Sequence, residues 1–300
     1  MSFALGNELE FRVDRLATPA KRVAWVELLR DIFGLDFKEF SQLDIWPADY
    51  RAFSYMHGEV IAANVSCNPL PLRLAGRNVM AGQLQGVATR PAYRRRGLFQ
   101  NLMEQALAFA DTSYECLLLY TGTPGLYRRF GFRELTEQSF SGRLPIAKVD
   151  GAALSIRTLS VREPGDVSLM RRLFTSRLPI SEHFAVCHNE GIFFGNLMLR
   201  PDFRLSYLEQ IDVLVVWDRS EGRARLFDIV GAKLPSMDEL ADVLQLVRPD
   251  EEIDILFPAD RLQGDFSAVP FRHEDGDILM VRGPFEIAET AFMLPLTAVS

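Results

Sequence analysis

Residues 84–98 read LQGVATRPAYRRRGL and decide the fold of the first half of the chain. The first part of this stretch predicts the end of a β-strand. The segment that follows, Leu98–Ala110, predicts an amphipathic helix with Leu102 and Ala106 on one side. Gly97 separates the two elements, so the chain turns sharply and enters the helix directly after a glycine. The stretch therefore predicts a strand, a glycine-arginine loop and a helix in immediate succession.

A loop of this kind can bind a phosphate group. The first amides of a helix have no partner within the helix and carry the positive end of its dipole, so a loop that enters the helix can wrap a pyrophosphate. Gly97 would allow close backbone approach, and the arginines at 94–96 would add charge-assisted hydrogen bonds. For an arginine triplet alone, a helix start with solvated arginines is the commoner arrangement.

The composition bounds the class of protein. Three hundred residues correspond to about two ordinary domains. The chain has 33 Lys and Arg against 40 Asp and Glu, a net charge of −7, and 48% of its residues are hydrophobic. This composition is typical of a globular protein with a substantial core. A net acidic chain argues against general binding to nucleic acids or anionic membranes.

The location of the protein is predicted from what the sequence lacks. The start has no basic segment followed by an apolar one, and no apolar run approaches the length that spans a bilayer. Three widely spaced cysteines favour reduced thiols over a disulfide framework. His183, Cys187 and His188 lack a fourth partner at a familiar metal-binding spacing. We expect a cytoplasmic protein without a metal site.

The order of elements predicts a mixed αβ fold with an internal duplication. In the first half, strand pairs precede the helix at Leu98–Ala110, and a short apolar strand follows at Cys116–Tyr120. A boundary is expected near Pro145–Gly151, which divides the chain into domains 1–148 and 149–300. The second half repeats the order of strand pair, helix, apolar strand and final strand. The capping-box spacing of Ser236 and Glu239 predicts the start of the helix in this second half.

A second motif follows about thirty residues after the first. Residues 125–132 read GLYRRFGF. Together the two motifs resemble the GNAT superfamily of N-acetyltransferases, in which an (Arg/Gln)-x-x-Gly-x-(Gly/Ala) loop binds acetyl-coenzyme A and a later helix ends in Tyr-x-x-x-Gly-Phe. The first pattern matches residues 94–98 but has Phe99 as its last residue, and the second matches fully at Tyr127, Gly131 and Phe132.

The combination is most similar to acetyltransferases of the enhanced-intracellular-survival (Eis-like) type. Those proteins follow a first GNAT unit with a second, degenerate one, which agrees with the predicted duplication. The resemblance therefore implies an α+β fold of two GNAT-like domains, each a twisted, mostly antiparallel mixed sheet flanked by helices. It implies that 1–148 is catalytic and that 149–300 lacks the pyrophosphate loop. The motifs themselves cover about residues 79–135.

The resemblance also implies roles for individual residues. The strand end at Val87, Ala88 and Thr89 would bind the pantetheine arm as an added strand would. The pyrophosphate would be held by the amides of Arg94, Arg95, Arg96, Gly97, Leu98 and Phe99. Tyr127 would be the general acid, because a phenol with a reference pKa near 10 still carries its proton at neutral pH and can protonate the leaving thiolate. The alternative for Tyr127 is a core aromatic.

The general base is left open. Where family members often carry a carboxylate, before the loop, this chain has Gln83 and Gln85, and neither amide accepts a proton usefully. A relayed water, another carboxylate, or the terminal carboxylate at Ser300 could serve instead. The last of these is suggested by the resembled subgroup, in which that group lies in the active site. Asp44, Ile45, Trp46 and Pro47 could shape an acceptor pocket, although Trp46 could equally be a core residue.

The predicted function is acetyl-coenzyme A-dependent N-acetyl transfer to a primary amine of a small molecule or peptide, by direct attack in a ternary complex. The expected partner is the amine acceptor, with no nucleic acid and no membrane, and a homo-oligomer is left open. The alternative is a non-catalytic acyl-coenzyme A sensor or scaffold. A nucleic-acid binder would instead show steep salt dependence.

Overall fold

The computed structural model describes residues 9–43, 45–143, 154–246, 251–287 and 290–299. In the first half the elements are β1 (Glu10–Asp14), α1 (Pro19–Phe33), β2 (Arg51–His57), β3 (Val60–Leu74), β4 (Arg77–Thr89), α2 (Leu98–Ser113), β5 (Cys116–Thr121), α3 (Gly125–Arg128), β6 (Arg133–Glu134) and β7 (Gln138–Arg143). In the second half they are β8 (Ile156–Thr158), α4 (Pro164–Thr175), β9 (Phe184–Val186), α5 (Glu190–Leu199), β10 (Arg204–Leu208), β11 (Val213–Ser220), β12 (Arg223–Gly231), α6 (Met237–Val243), β13 (Glu252–Ile255), β14 (Asp265–Pro270) and β15 (Ile278–Arg282).

The chain divides into two compact units. The first contains the described residues up to Pro69 together with Met80–Leu119, and the second contains Leu70–Val79 and the described residues from Tyr120 to Val299. Both units combine helices with a mixed sheet, so the predicted α+β class is confirmed. The predicted boundary between residues 148 and 149 lies outside the described residues and stays a prediction.

The sheet of the first unit has its strands in the order β1-β2-β3-β4-β5. β1, β2 and β3 pair antiparallel, whereas β4 and β5 pair parallel because α2 carries the chain from one to the other. α1 covers this unit's core with Trp25, Leu28 and Leu29, all buried against Ala52 and Ile61 of the sheet. Burial of the apolar face of α1 is thus what fixes that helix on the sheet.

Both ends of α1 lie at residues with special backbone preferences. Proline occupies the first turn, where its missing N–H is not needed, and Thr18 precedes it in an extended conformation. Gly34 has φ of +71° and donates its N–H to the carbonyl of Arg30 at 3.0 Å. Only glycine adopts this conformation without strain, so the helix ends there.

The sheet of the second unit has the order β14-β7-β13-β12-β11-β10-β8. Its neighbours pair antiparallel except β12 and β13, which are parallel. α6 connects those two strands and begins with the predicted capping box, in which Ser236 and Glu239 bond each other's backbone amides. In the same unit β15 pairs with β6, and the Leu72–Leu74 end of β3 pairs with β9.

Gly142 allows β7 to pair closely with β14. A Cβ atom at this position would lie 2.2 Å from the backbone oxygen of Asp265, which cannot move without breaking the strand pairing. We expect Gly142→Ala to lower the free energy of unfolding by about 1–3 kcal/mol.

Gly165→Ala is the matched control for that substitution, because a Cβ at Gly165 meets nothing within 4 Å. Gly165 lies in the first turn of α4, so alanine there should be neutral or slightly stabilising. The comparison is made by urea denaturation of both variants. Equal stabilities would show that β7 and β14 do not approach as closely as described.

No helix in the described ranges is long and apolar enough to cross a membrane.

Candidate active site

The start of α2 has the backbone geometry of an anion-binding turn. Gly97 is the N-cap residue with φ of +76°, and no side chain caps the helix. Arg95 also has a left-handed conformation, with φ of +62°, which is unusual for a residue other than glycine. Such strained residues are concentrated at ligand-binding sites. Because the first-turn amides of α2 have no side-chain acceptor at the cap, they can serve a bound anion.

The arginines around this turn divide into two kinds. Arg90 is structural: its Nε donates to the carbonyl of Ile61 at 2.9 Å, and its Nη1 pairs with Asp31 at 2.8 Å. Arg94, Arg95 and Arg96 are exposed. These three side chains therefore form a cationic surface at the positive end of the α2 dipole, where an anion is doubly favoured.

The strand that leads into the turn extends past its partner. The parallel pairing of β4 with β5 ends at Gln83, opposite Leu118, whereas β4 continues to Thr89. Its other edge stays on β3, and just beyond the strand Arg90 donates its backbone N–H to the carbonyl of Ala62 at 2.9 Å. Among the described residues no strand pairs with β4 on the β5 side beyond Gln83, so this edge is open to an extended ligand near the carboxyl end of β4.

The three residues predicted to contact the pantetheine arm form this part of β4. Ala88 is buried in the core of the first unit, while Val87 and Thr89 are half-buried. Gly86, directly before them, has φ of +57° and its carbonyl accepts a hydrogen bond from Asn64 Nδ2 at 2.8 Å. The strand therefore changes direction at Gly86, and the buried side-chain amide of Asn64 stabilises this change.

Tyr127 lies in α3 and is 6% exposed. Burial, with a smaller effect from the nearby Asp277 carboxylate, raises the pKa of Tyr127 to about 12, while a hydrogen bond with Thr121 opposes the rise. The ring packs edge-on against Phe132, 6.0 Å between centroids, after a turn closed by Gly131 at φ of +85°. The motif residues thus hold a neutral phenol that keeps its proton over the whole physiological pH range.

A buried network in the same unit was not predicted from the sequence. Glu137 is 4% exposed and lies between Tyr120 and His273. Its Oε1 accepts from the Tyr120 hydroxyl at 2.8 Å, and its Oε2 is 3.0 Å from His273 Nε2. No sequence spacing links the three residues, since β14 brings the histidine to the glutamate from 136 positions downstream.

Asp277 was also missed. It follows His273 in the loop between β14 and β15, is half-buried, and lies close enough to Tyr127 to affect its pKa. A single polar residue in a loop carries no periodic or motif signal. Only the fold of the second unit reveals it.

The predicted acceptor-pocket residues have different outcomes. Trp46 is packed in an aromatic cluster with Trp25 and Tyr50, at centroid distances of 5.2 and 4.9 Å, and its Nε1 donates to the carbonyl of Arg15 at 3.1 Å. Trp46 is half-buried and packs against the core of the first unit. Its part in an acceptor pocket stays a prediction. Asp44 and Ser300 lie outside the described residues.

The cysteines are free thiols, and burial raises the pKa of Cys67 to about 12, so it is not a thiolate at neutral pH. Among the residues with described positions, no group of three or more His, Cys, Asp or Glu side chains is placed to hold a metal ion. Gln83 is fully buried on β4. None of these residues supplies a nucleophile or a carboxylate near the loop.

Comparison with known proteins agrees with this fold. A protein-family model for the acetyltransferase (GNAT) domain matches residues 15–135. No curated protein is similar enough in sequence to count as a match. A probable N-acyltransferase from Enterococcus faecalis is 13% identical, with a TM-score of 0.60, over 92% of this chain and 72% of that one.

Two further solved structures are similar over nearly the same length. Eis1 from Mycobacterium abscessus is 14% identical with a TM-score of 0.57, covering 91% of this chain and 73% of that one. A GCN5-related N-acetyltransferase from Kribbella flavida is 17% identical with a TM-score of 0.52, covering 91% and 71%. The family model identifies residues 15–135 as a GNAT acetyltransferase domain. The fold of the chain is similar to that of Eis1.

Proposed function

We propose that this protein transfers an acetyl group from acetyl-coenzyme A to a primary amine of a small molecule or peptide. The observation that carries the proposal is the uncapped start of α2, entered through left-handed Arg95 and Gly97. It provides backbone amides and three exposed arginine side chains for a pyrophosphate. We assign this role to the amides of Arg94, Arg95, Arg96, Gly97, Leu98 and Phe99.

The open edge of β4 supports the second part of the proposal. Val87, Ala88 and Thr89 would bond the amide groups of the pantetheine arm as a neighbouring strand would. Gly86 supports this role because its left-handed conformation sets the direction of the strand end. The acetyl thioester, when bound, supplies an activated acyl group, and the protein's contribution is to hold it beside the acceptor.

Tyr127 is the proposed general acid. The amine nitrogen attacks the thioester carbonyl carbon, and the sulfur leaves as it takes a proton from the Tyr127 hydroxyl. A pKa of about 12 keeps the phenol protonated until that moment. Direct attack needs no covalent enzyme intermediate, which suits a chain whose buried Cys67 is not a thiolate. We place the protein in the cytoplasm, with the amine acceptor as its partner.

An acyl-coenzyme A sensor is the alternative function, because the sequence shows no general base near the loop. The two functions are separated by measuring thiol release from acetyl-coenzyme A with spermidine, kanamycin and a lysine-containing peptide. Amine-dependent thiol release supports the enzyme. Tight binding of coenzyme A with no amine-dependent release from any of the three would favour the sensor.

A further inference from the structure

Asp277 lies at the carboxyl end of β5. A Cβ atom added to Gly122, the residue after that strand, would lie 3.3 Å from Asp277 Oδ1, so the carboxylate occupies space that glycine leaves open. The same carboxylate acts electrostatically on the Tyr127 hydroxyl, which also bonds Thr121 at the end of β5. The Asp277 carboxylate therefore lies beside Gly122, and the Tyr127 hydroxyl lies beside the preceding residue, Thr121. The carboxylate and the proposed general acid are thus near one another.

Glu137, a second carboxylate of this region, is not available for chemistry. Its Oε1 accepts from the Tyr120 hydroxyl at 2.8 Å and from the backbone N–H of Leu294 at 2.9 Å. Its Oε2 is occupied by His273 Nε2 at 3.0 Å. Because both oxygens are engaged in a buried network, Glu137 acts as an anchor for His273 and thereby for the loop that carries Asp277.

Unlike the Glu137 carboxylate, the Asp277 carboxylate is available to bind a ligand. The loop closes on itself through a bond from the Gly276 N–H to the His273 carbonyl at 3.0 Å, and Asp277 donates its own N–H to Asp275 Oδ1 at 3.1 Å. Its side chain is half-buried. Within the described ranges no side chain forms a hydrogen bond or an ion pair with its carboxylate. The loop is thus fixed, while the carboxylate can meet a ligand.

The surroundings of Asp277 favour proton acceptance. Burial raises the pKa of Asp277 above its ordinary value, repulsion by Asp275 adds to the rise, and attraction by His273 opposes it. A base with a raised pKa holds an abstracted proton better than an ordinary carboxylate does. The titratable groups near it are Tyr127 on α3, Tyr120 on β5, Glu137 before β7, and His273, Glu274 and Asp275 on its own loop, with Arg200 after α5 acting on the last two.

We propose that Asp277 binds the ammonium group of the acceptor and takes its proton, which makes it the general base of the acetyl transfer. This inference rests on the function proposed above. A primary amine is an ammonium ion at neutral pH and cannot attack a carbonyl carbon until one proton has left. A half-buried carboxylate that forms no ion pair with any described side chain attracts such a cation and removes that proton.

The proton balance of the transfer then closes. The acceptor nitrogen loses two protons as its bond to the acetyl carbon forms and the carbon–sulfur bond breaks. Asp277 takes the first proton and passes it to water. Tyr127 gives its proton to the sulfur and regains one from the nitrogen. One proton is released for each amide formed, and no oxidant, reductant or further reactant is needed.

Asp277→Asn tests the proposal, because asparagine keeps the size of the side chain and removes the basic oxygen. Asp242→Asn is the control: it makes the same charge change on an exposed residue of α6. We expect Asp277→Asn to lower kcat at pH 7 by about 10²-fold or more and to leave the affinity for acetyl-coenzyme A unchanged. Asp242→Asn should stay within about threefold of the wild type.

The pH profile separates a base from a merely structural residue. The defect of Asp277→Asn should shrink as the pH approaches the pKa of the amine, because solution then supplies unprotonated acceptor. Asp277→Glu should recover part of the activity at pH 7. If Asp277→Asn remains as active as Asp242→Asn, or if its defect is the same at every pH, Asp277 is not the base.

A measurement without turnover tests the placement of Asp277. The wild type and Asp277→Asn are each titrated by ultraviolet absorbance and compared with the same protein carrying Tyr127→Phe. The difference isolates the ionisation of the Tyr127 phenol. Loss of the neighbouring negative charge should lower the pKa of Tyr127 from about 12; an unchanged pKa contradicts the placement. Failure of the proposed function gives a different result, because the wild-type protein would then release no thiol from acetyl-coenzyme A with any amine. That result would also overturn the assignment of Asp277.

Discussion

Tyr127→Phe is expected to lower kcat by about 10²–10⁴-fold, because the variant has no proton to give to the leaving sulfur. The ring is 6% exposed and packs against Phe132, so phenylalanine keeps its packing and its volume. The affinity for acetyl-coenzyme A should not change, since the proposed contacts of that molecule lie in β4 and at the start of α2. Steady-state thiol release and calorimetric titration measure the two quantities separately.

Tyr207→Phe is the control for this substitution. It removes a hydroxyl that donates to Asp212 at 2.7 Å on the second sheet, and it should keep full activity. The pH dependence gives a further check: with a pKa of about 12 for Tyr127, wild-type activity should show no alkaline decline from this group near pH 10, where an exposed tyrosine ionises. Full activity in Tyr127→Phe would remove this residue from the mechanism.

The largest loss of stability is expected from Arg177→Met. Arg177 Nη2 and Asp228 Oδ1 are 2.7 Å apart, and their side chains are only 4% and 2% exposed. Removal of the arginine leaves a buried negative charge whose remaining donors among the described residues are neutral, the Thr297 hydroxyl and the Ile229 amide. We expect the free energy of unfolding to fall by about 3–5 kcal/mol.

Arg172→Met is the matched control, because Arg172 forms a two-point ion pair with Asp212 whose side chains are 55% and 47% exposed. Exposed pairs contribute at most about 1 kcal/mol. Urea denaturation of both variants gives the comparison. The double variant Arg177→Met with Asp228→Leu should recover part of the loss, since no buried charge remains. Equal effects of the two single variants would mean that Asp228 is not buried as described.

The parts of the fold that sequence predicts well are those with local signals. α1 begins at a proline and ends at Gly34, and α2 follows Gly97, so their limits are set by residues with special backbone preferences. The capping box at Ser236 placed α6 for the same reason. These signals act within a few residues, and no distant contact is needed to interpret them.

Elements without a local signal were missed. α5 was not predicted because Ile192, Phe193, Phe194 and Leu197 leave no polar face with a helical period, and the helix is buried on nearly all sides. β7 was not predicted either. Its pairing partners β13 and β14 come more than 100 positions later, and a strand that contains Gly142 has little β-propensity of its own.

The residues of the candidate site show the same contrast between local sequence signals and contacts made only in the folded chain. The loop at residues 94–99 and Tyr127 belong to contiguous motifs, so the sequence alone pointed to them. Asp277 lies 150 positions after Tyr127, in a loop that repeats no pattern, and its role follows from proximity that only the folded second unit creates. Paired acids and bases are commonly assembled from distant segments, since catalysis requires geometry rather than spacing.

The position of coenzyme A on this chain is tested most directly by hydrogen exchange of the backbone amides, measured by mass spectrometry with and without acetyl-coenzyme A. Bound pyrophosphate should slow exchange at residues 94–99 and bound pantetheine at residues 87–89. Exchange at Gly142 and the rest of β7 should not change. Binding of acetyl-coenzyme A with unaltered exchange at both segments would contradict the assignment of the α2 start as the site of this molecule.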